Sequence, residues 1–258
     1  MLASERLIYI IQRLDKHPAV TIRQLSKELT VSEATVRRDL DELERQGKLK
    51  RQHGGAVLSS VFSSLSQSND LNVNQRSLLN IEEKKKVCEM AAKQIKDGDC
   101  IFLDGGSTTV YLLNYIQNKR IHIVTPSIMV MKHLGKMEAT VEFIGGTYNP
   151  YYEMVFGSKT ADETSKFRYD IALIGAAGID AFTGECYTVA VETVSYKQIA
   201  NKNADVSILL VDSSKFVQRG FCYFSNTSEF DFVYTDKKPK EHEIENLVSY
   251  EEIFNGKK

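Results

Sequence analysis

Long apolar runs are missing from this 258-residue chain, and so is any strong excess of charge. No uninterrupted apolar stretch approaches the ~18 residues that cross a bilayer. The opening helix-like segment carries Glu5, Arg6 and Arg13 inside its apolar pattern, which excludes an ordinary signal peptide. A cytoplasmic protein with no membrane partner is expected. The formal net charge of −1 excludes a chain that coats nucleic acid by bulk electrostatics. Cysteine is scarce and dispersed: Cys88, Cys100, Cys186 and Cys222 make no C-x-x-C pair, and the five histidines are scattered. That spacing argues against a structural zinc site and for reduced thiols. No metal site and no cofactor is expected.

The charge that is present lies unevenly. Residues 1–56 hold eleven Lys/Arg against eight Asp/Glu, and the other 202 residues hold twenty-two against twenty-six. A basic N-terminal module on an acidic body points to nucleic acid. Within that module Leu7, Ile10, Ile11 and Leu14 recur at helical spacing, as do Ile22, Leu25 and Leu29. In "VSEATVRRDLDELERQG", Ser32 suits an N-cap, Val31 and Val36 suit a hydrophobic staple, and Gly47 suits a stop. Three short helices with a tight turn before the last describe a helix-turn-helix. With Val36, Leu40 and Leu43 facing the core, Ala34, Arg38 and Arg45 point away, flanked by Thr35 and Arg37. Arginine forks onto guanine, and threonine and alanine touch a thymine methyl. Asp39, Asp41, Glu42 and Glu44 would be repelled by phosphates and are assigned to pairing between helices. "KLKRQHGGAV" reads as a two-stranded wing that sets Lys48, Lys50, Arg51 and His53 near the DNA backbone or minor groove. Candidate DNA contacts are therefore Ser32, Ala34, Thr35, Arg37, Arg38, Lys50, Arg51 and His53, with double-stranded DNA as the partner.

These features bound a winged helix-turn-helix domain at 1–57. A Ser-rich linker without sustained periodicity is expected at 58–80. From 81 to 258 helical patterns alternate with short apolar runs: a helix from "IEEKKKV" to Gly98, a strand "CIFLD", a helix "STTVYLLNYIQ", then further strands and helices. Such alternation means an α/β domain with a parallel sheet. "FLDGGSTT", "IVTPS", "FIGGT", "LIGAAG" and "LVDSSK" all end strands in small or hydroxyl residues, which in a parallel sheet line one edge, where open α/β folds bind ligands. In "DGGSTT", Gly105 and Gly106 allow close approach of backbone. Ser107, Thr108 and Thr109 open the next helix, where N–H groups favour an anion. No lysine follows the glycines, which argues against a nucleoside triphosphate, and the pattern is not G-x-G-x-x-G. A single small phosphate fits better. Asp104 is expected to accept from a ligand hydroxyl, and Lys197 and Lys215 to supply counter-charge.

Together, "VSEATVRRDLDELERQGKLKRQHGGA", "GDCIFLDGGSTT", "FIGGTYN", "LIGAAGID" and "LLVDSSKF" resemble the DeoR family of bacterial transcriptional regulators, from about residue 3 to Asp236. The resemblance implies a winged helix-turn-helix and a sensor domain similar in fold to ribose-5-phosphate isomerase. It implies a repressor of a sugar-utilisation operon, released by a phosphorylated sugar and working as a homodimer or homotetramer. It carries ligand binding onto Asp104, Gly106, Ser107, Thr108, Thr109, Thr125, Ser127, Gly145, Gly146, Gly175, Asp180, Lys197, Asp212 and Lys215, beside Gly105 from the loop itself. Ala177 stands where the family usually has Asp, and Pro126 where it usually has Asn. Acidic residues near Ala177 take part in the chemistry of the related isomerases, so no enzymatic activity is expected. A constitutive DNA-binding protein with a degenerate sensor and a sugar-phosphate isomerase are the alternative readings.

Overall fold

The computed structural model describes residues 3–16, 19–46, 48–52, 55–58, 71–217 and 222–254. They fall into two compact units, Met1–Asp70 and Leu71–Lys258.

The first unit runs α1 (Ala3–Lys16), β1 (Ala19–Thr21), α2 (Ile22–Leu29), α3 (Glu33–Arg45), β2 (Leu49–Gln52) and β3 (Gly55–Leu58). Thr21 starts α2 with a reciprocal capping box to Gln24. Thr30 takes the left-handed conformation at φ 54°, turning the chain before α3. The Ser32 side chain then accepts the Thr35 N–H, and α3 begins. The expected stripes land inward: Leu25, Leu29, Val36, Leu40 and Leu43 are buried with Ile10, Leu14 and Leu49, and Val31 packs beside them. The strands form one antiparallel sheet ordered β1-β3-β2, so the wing has a third strand that the pattern did not announce. Gly55 pairs with Thr21 across that sheet, and a Cβ there would meet the Val20 carbonyl oxygen at 2.0 Å. Gly47 and His53 lie outside the described residues.

The second unit begins at Leu71, ten residues before the expected end of the linker. Its first element, α4 (Val73–Ser77), seats Val73 in the domain core, which is why residues 71–80 fold with the sensor. The chain continues α5 (Ile81–Ala92), β4 (Cys100–Leu103), β5 (His122–Thr125), α6 (Ile128–His133), β6 (Thr140–Phe143), β7 (Thr147–Asn149) and β8 (Met154–Phe156). It then forms α7 (Ser158–Ser165), β9 (Tyr169–Gly175), β10 (Gly178–Ile179), β11 (Glu185–Thr188), α8 (Val194–Lys202) and β12 (Ala204–Leu210). The last elements are β13 (Cys222–Asn226), β14 (Phe232–Thr235), β15 (Leu247–Ser249) and α9 (Tyr250–Phe254).

Seven strands make one parallel sheet in the order β15-β14-β12-β9-β4-β5-β6. Alternate side chains feed two cores. Ile101, Leu103, Ile171, Leu173 and Leu210 enter one, and Phe102, Val124, Ala172, Ile174 and Leu209 enter the other. Connections run outward in both directions from the β4/β9 pair, so the topological switch point lies between those strands. Two elements differ from the expected pattern. α5 ends at Ala92, and Gly98, at φ +94°, sits in the turn before β4. The segment expected as a helix from Ser107 is a 3₁₀ helix, Thr109–Tyr115. Its start is rich in β-branched residues, and the Thr109 hydroxyl donates to the carbonyls of Asp104 and Gly106, which pins the turn.

Leu40 is fully buried at the centre of the first unit. Leu40→Ala is expected to lower the unfolding free energy of that unit by ~2–5 kcal/mol, read by urea denaturation. A shift below about 1 kcal/mol would remove this residue from the core.

Candidate functional site

On α3 the structure exposes Ala34, Arg37 and Arg38 and half-exposes Thr35. Ser32 is engaged as the cap, with its hydroxyl 3.0 Å from that of Thr35. Arg37 makes a solvent-exposed contact of 3.7 Å to Glu33, a weak tie. The acidic residues face inward or sideways. Asp39 is gripped by Arg6 of α1 through two bonds of 2.7 and 2.9 Å, and Glu42 pairs with Arg45 and Gln46. Arg51 differs from expectation. Its guanidinium is bonded to Asp41, and its N–H donates to Glu44 at 2.8 Å, so it braces the wing against α3. Lys48 is exposed. Lys50 lies in β2.

In the second unit the ends of β4 and β9 meet around Asp104, which is 1% exposed. Its Oδ2 accepts from Lys197 Nζ at 2.5 Å and from the Gly175 N–H at 3.0 Å. Its Oδ1 accepts from the Tyr196 hydroxyl at 3.1 Å. Lys197 also donates to the Gly175 carbonyl at 2.9 Å. Burial, reinforced by Asp104, pushes the Tyr196 hydroxyl well above its usual pKa. Asp104 and Lys197, expected as a hydroxyl acceptor and a phosphate counter-charge, therefore hold each other.

Those neighbours surround the loop after β4. Met154 packs on Gly105, where a Cβ would meet its Cε at 2.0 Å. Thr109 is fully buried and its hydroxyl is engaged by backbone, whereas no protein hydrogen bond occupies the hydroxyls of Ser107 and Thr108 among the described residues. Three cations act electrostatically on one another here: Arg76 of α4, Lys84 of α5 and Lys215 after β12. Burial lowers all three. Lys84, 2% exposed, falls to about 8, with Asp212 opposing the shift and Lys215 and Arg76 adding to it. Lys84 Nζ donates to the Arg76 carbonyl. Arg76 Nε is buried without a partner among the described residues. Asp212, 1% exposed, accepts from Asn80 at 3.0 Å and from Ser214, and its Oδ2 is likewise unpartnered. Buried cations gathered around an unpartnered Arg76 Nε fit an anion.

Sequence reading overlooked Arg76 and Lys84. Arg76 fell in the presumed linker. Lys84 was readable, since it shares a helical stripe with Val87, Cys88, Ala91 and Ile95, all buried. The remaining candidates divide. Thr125 donates to the Leu103 carbonyl at 2.6 Å, and Ser127 caps α6. The Gly145 N–H donates to Glu163 at 2.7 Å, and a Cβ on Gly146 would meet Thr160 Oγ1 at 2.0 Å, so both glycines serve packing against α7. Asp180 Oδ1 accepts the N–H groups of Phe182 and Thr183 and closes a turn. Gly106 and Gly175 flank the Asp104 carboxylate. No group of three His, Cys, Asp or Glu among the described residues is placed to hold a metal, and no helix there is long and apolar enough to cross a membrane.

Lys197→Met is expected to destabilise the second unit by ~3–5 kcal/mol, because it strands a buried carboxylate. Adding Asp104→Asn should recover part of that loss. Thermal unfolding of the single and double variants checks it, and additive losses would mean that the two groups do not depend on each other.

Residues 6–61 match the model of the DeoR-like helix-turn-helix domain, and residues 79–237 match that of the DeoR C terminal sensor domain. A lactose phosphotransferase system repressor of Staphylococcus epidermidis is 31% identical over 254 residues, covering 97% of this chain and 98% of its own. The glycerol-3-phosphate regulon repressor of Escherichia coli is 31% identical over 232 residues, 89% of each chain. Ribose 5-phosphate isomerase A of Methanocaldococcus jannaschii aligns with a TM-score of 0.38 and 23% identity over 53% of this chain and 54% of that one. Both domain models match in order and relatives align end to end, and the chain therefore belongs to the DeoR family of DNA-binding transcriptional regulators.

Proposed function

We propose that the protein is a repressor of sugar-utilisation genes, released from operator DNA by a phosphorylated sugar bound at the switch-point edge of the second unit. The observation that supports this reading is the cluster of buried Arg76, Lys84 and Lys215: Lys84 donates to the Arg76 carbonyl, Arg76 Nε has no partner among the described residues, and Cys88 of α5 donates to the Thr108 carbonyl of the loop after β4. The phosphate sits among these groups, and Asp212 accepts from a sugar hydroxyl. A homo-oligomer presents two copies of α3 to successive major grooves, with Arg37 and Arg38 as the base- and phosphate-contacting cations and Ala34 and Thr35 against the bases. Nothing favours catalysis: Ala177 offers no acid or base, and Asp180 is held in its turn.

Fluorescence anisotropy on the DNA upstream of the chain's own gene, titrated with sugar phosphates, parent sugars and inorganic phosphate, tests the reading. Release by a sugar phosphate and not by its parent sugar supports it. Tight DNA binding untouched by every phosphorylated compound would overturn the effector half. Arg38→Ala is expected to weaken specific DNA binding by ~1–3 kcal/mol without altering effector binding, and unchanged operator affinity would remove Arg38 from the interface. Thr108→Val should abolish the response while the protein stays folded.

The pH dependence has a fixed sign. Lys84 sheds its proton near pH 8 in the free protein, below its ordinary value of 10.5, and a bound phosphate favours the charged form. Binding then takes up a proton above pH 8, and affinity falls by at most about tenfold per pH unit. Phosphate monoesters are already dianionic there, with a second pKa of about 6, so the ligand adds no slope. Calorimetry should show this decline in wild type and a weaker, flatter profile for Lys84→Met.

A further inference from the structure

The α4 helix and the loop between β7 and β8 grip each other at three points. The Val73 N–H donates to the Tyr151 carbonyl at 3.2 Å. Asn74 Nδ2 donates to Glu153 Oε1 at 3.0 Å. The Arg76 guanidinium stands 5.7 Å from the centre of the Tyr152 ring. Met154, which opens β8 directly after the loop, packs on Gly105, and its sulfur lies 3.9 Å from the Tyr196 hydroxyl. This clasp is therefore continuous with the anion site.

Two polar atoms of the clasp lack a partner among the described residues, and they are complementary. Arg76 Nε is a donor and Glu153 Oε2 an acceptor, and both are shut away from solvent. Glu153 is 8% exposed. Lys132 and Asn74 hold its carboxyl below the usual carboxylate range. Its backbone stands at φ +47°, a left-handed conformation that a glutamate enters at a cost. The closed clasp thus keeps a strained residue, an unserved donor and an unserved acceptor in place, with Asn74 as the link across it.

We propose that the phosphorylated sugar opens this clasp: its phosphate takes the Arg76 N–H, and one of its hydroxyls donates to Glu153 Oε2. The inference rests on the anion-site reading above and adds a specificity residue and a trigger. Phosphate alone serves Arg76 and leaves Glu153 unserved, so a ligand with both groups is required for release. α4 is the first helix of the second unit, nearest in sequence to the DNA-binding unit.

The test measures DNA binding by the full chain, with inorganic phosphate and hexose 6-phosphates as probes. Wild type is expected to be released by a hexose phosphate, and inorganic phosphate should compete for the site without releasing DNA. The two sides of the clasp should respond in opposite directions. Glu153→Gln removes the charge that receives the hydroxyl and raises the half-release concentration by about tenfold. Asn74→Ala leaves the anion site intact and loosens the clasp. It should lower the half-release concentration and, with no ligand present, weaken DNA binding by about threefold or more as the open form gains population. Shifts in the same direction for both variants, or ligand-free DNA affinity of Asn74→Ala equal to wild type, would overturn the proposal. The ligand-free measurement stands even where no phosphorylated compound acts on wild type, a result that would sink the anion-site reading instead.

Discussion

The buried pair of Asp104 and Lys197 organises the sensor. Asp104 ends β4 at the point where the sheet's connections diverge, and its two oxygens collect Lys197, Tyr196 and the Gly175 N–H. One carboxylate thereby ties β4 to β9 and to α8. An isolated charge in that position would be prohibitive, and the pair is tolerated because further hydrogen bonds complete each partner. Gly106 and Gly175 lie against the same carboxylate, where Cβ atoms would rest in ordinary contact at 3.7 and 3.5 Å from Asp104 Oδ2.

With acid and base absorbed by each other, ligand charge must be met elsewhere. The loop after β4 contributes hydroxyls and leads into a 3₁₀ turn in place of an α-helix. Positive charge comes instead from three separate elements, α4, α5 and the turn after β12. Asp212 stands among them as a carboxylate whose Oδ2 has no hydrogen-bond partner among the described residues. Lys84 and Lys215 are each buried within reach of another cation, and Arg76 is buried with no partner for its Nε among the described residues. A phosphorylated ligand would relieve that burial, and the proposed preference for phosphate over bare sugar rests on it.

Much of this was legible in the sequence, for physical reasons that differ by element. The helix-turn-helix declared itself because its stripes, its Ser32 cap and its Val31–Val36 staple are local, and local signals survive folding. The parallel sheet was legible because strands buried on both faces read as continuous apolar runs. The third strand of the wing was not, since Ala19–Thr21 is too short to show a period. Asp104 and Lys197 were picked out individually, yet their partnership spans more than ninety residues and no spacing rule connects them. Arg51 read as a DNA contact by its charge, and only the fold brings Asp41 and Glu44 to it. Arg76 was hidden by its Ser-rich surroundings, and its role depends on Val73 anchoring α4 in the core.

A sensor alters DNA binding only through a difference in its ligand's affinity for two arrangements. A ligand that bound both equally would shift nothing, however tightly it bound. Moving a population from about 1:99 to 99:1 requires roughly 5.5 kcal/mol of such difference. The cation cluster alone does not supply it, because Lys84 and Lys215 belong to elements fixed in the sensor core and would meet phosphate similarly in either arrangement. Arg76 is different. It rides on a five-residue helix anchored chiefly by Val73, one carbonyl bonded to Lys84, the Ser77 carbonyl bonded to Tyr111 and the contacts to residues 151–153. That helix is short and held by few contacts, and the proposed clasp places the difference in ligand affinity there. On that proposal, α5 and the turn after β12 would provide affinity, and α4 would convert affinity into a change of state.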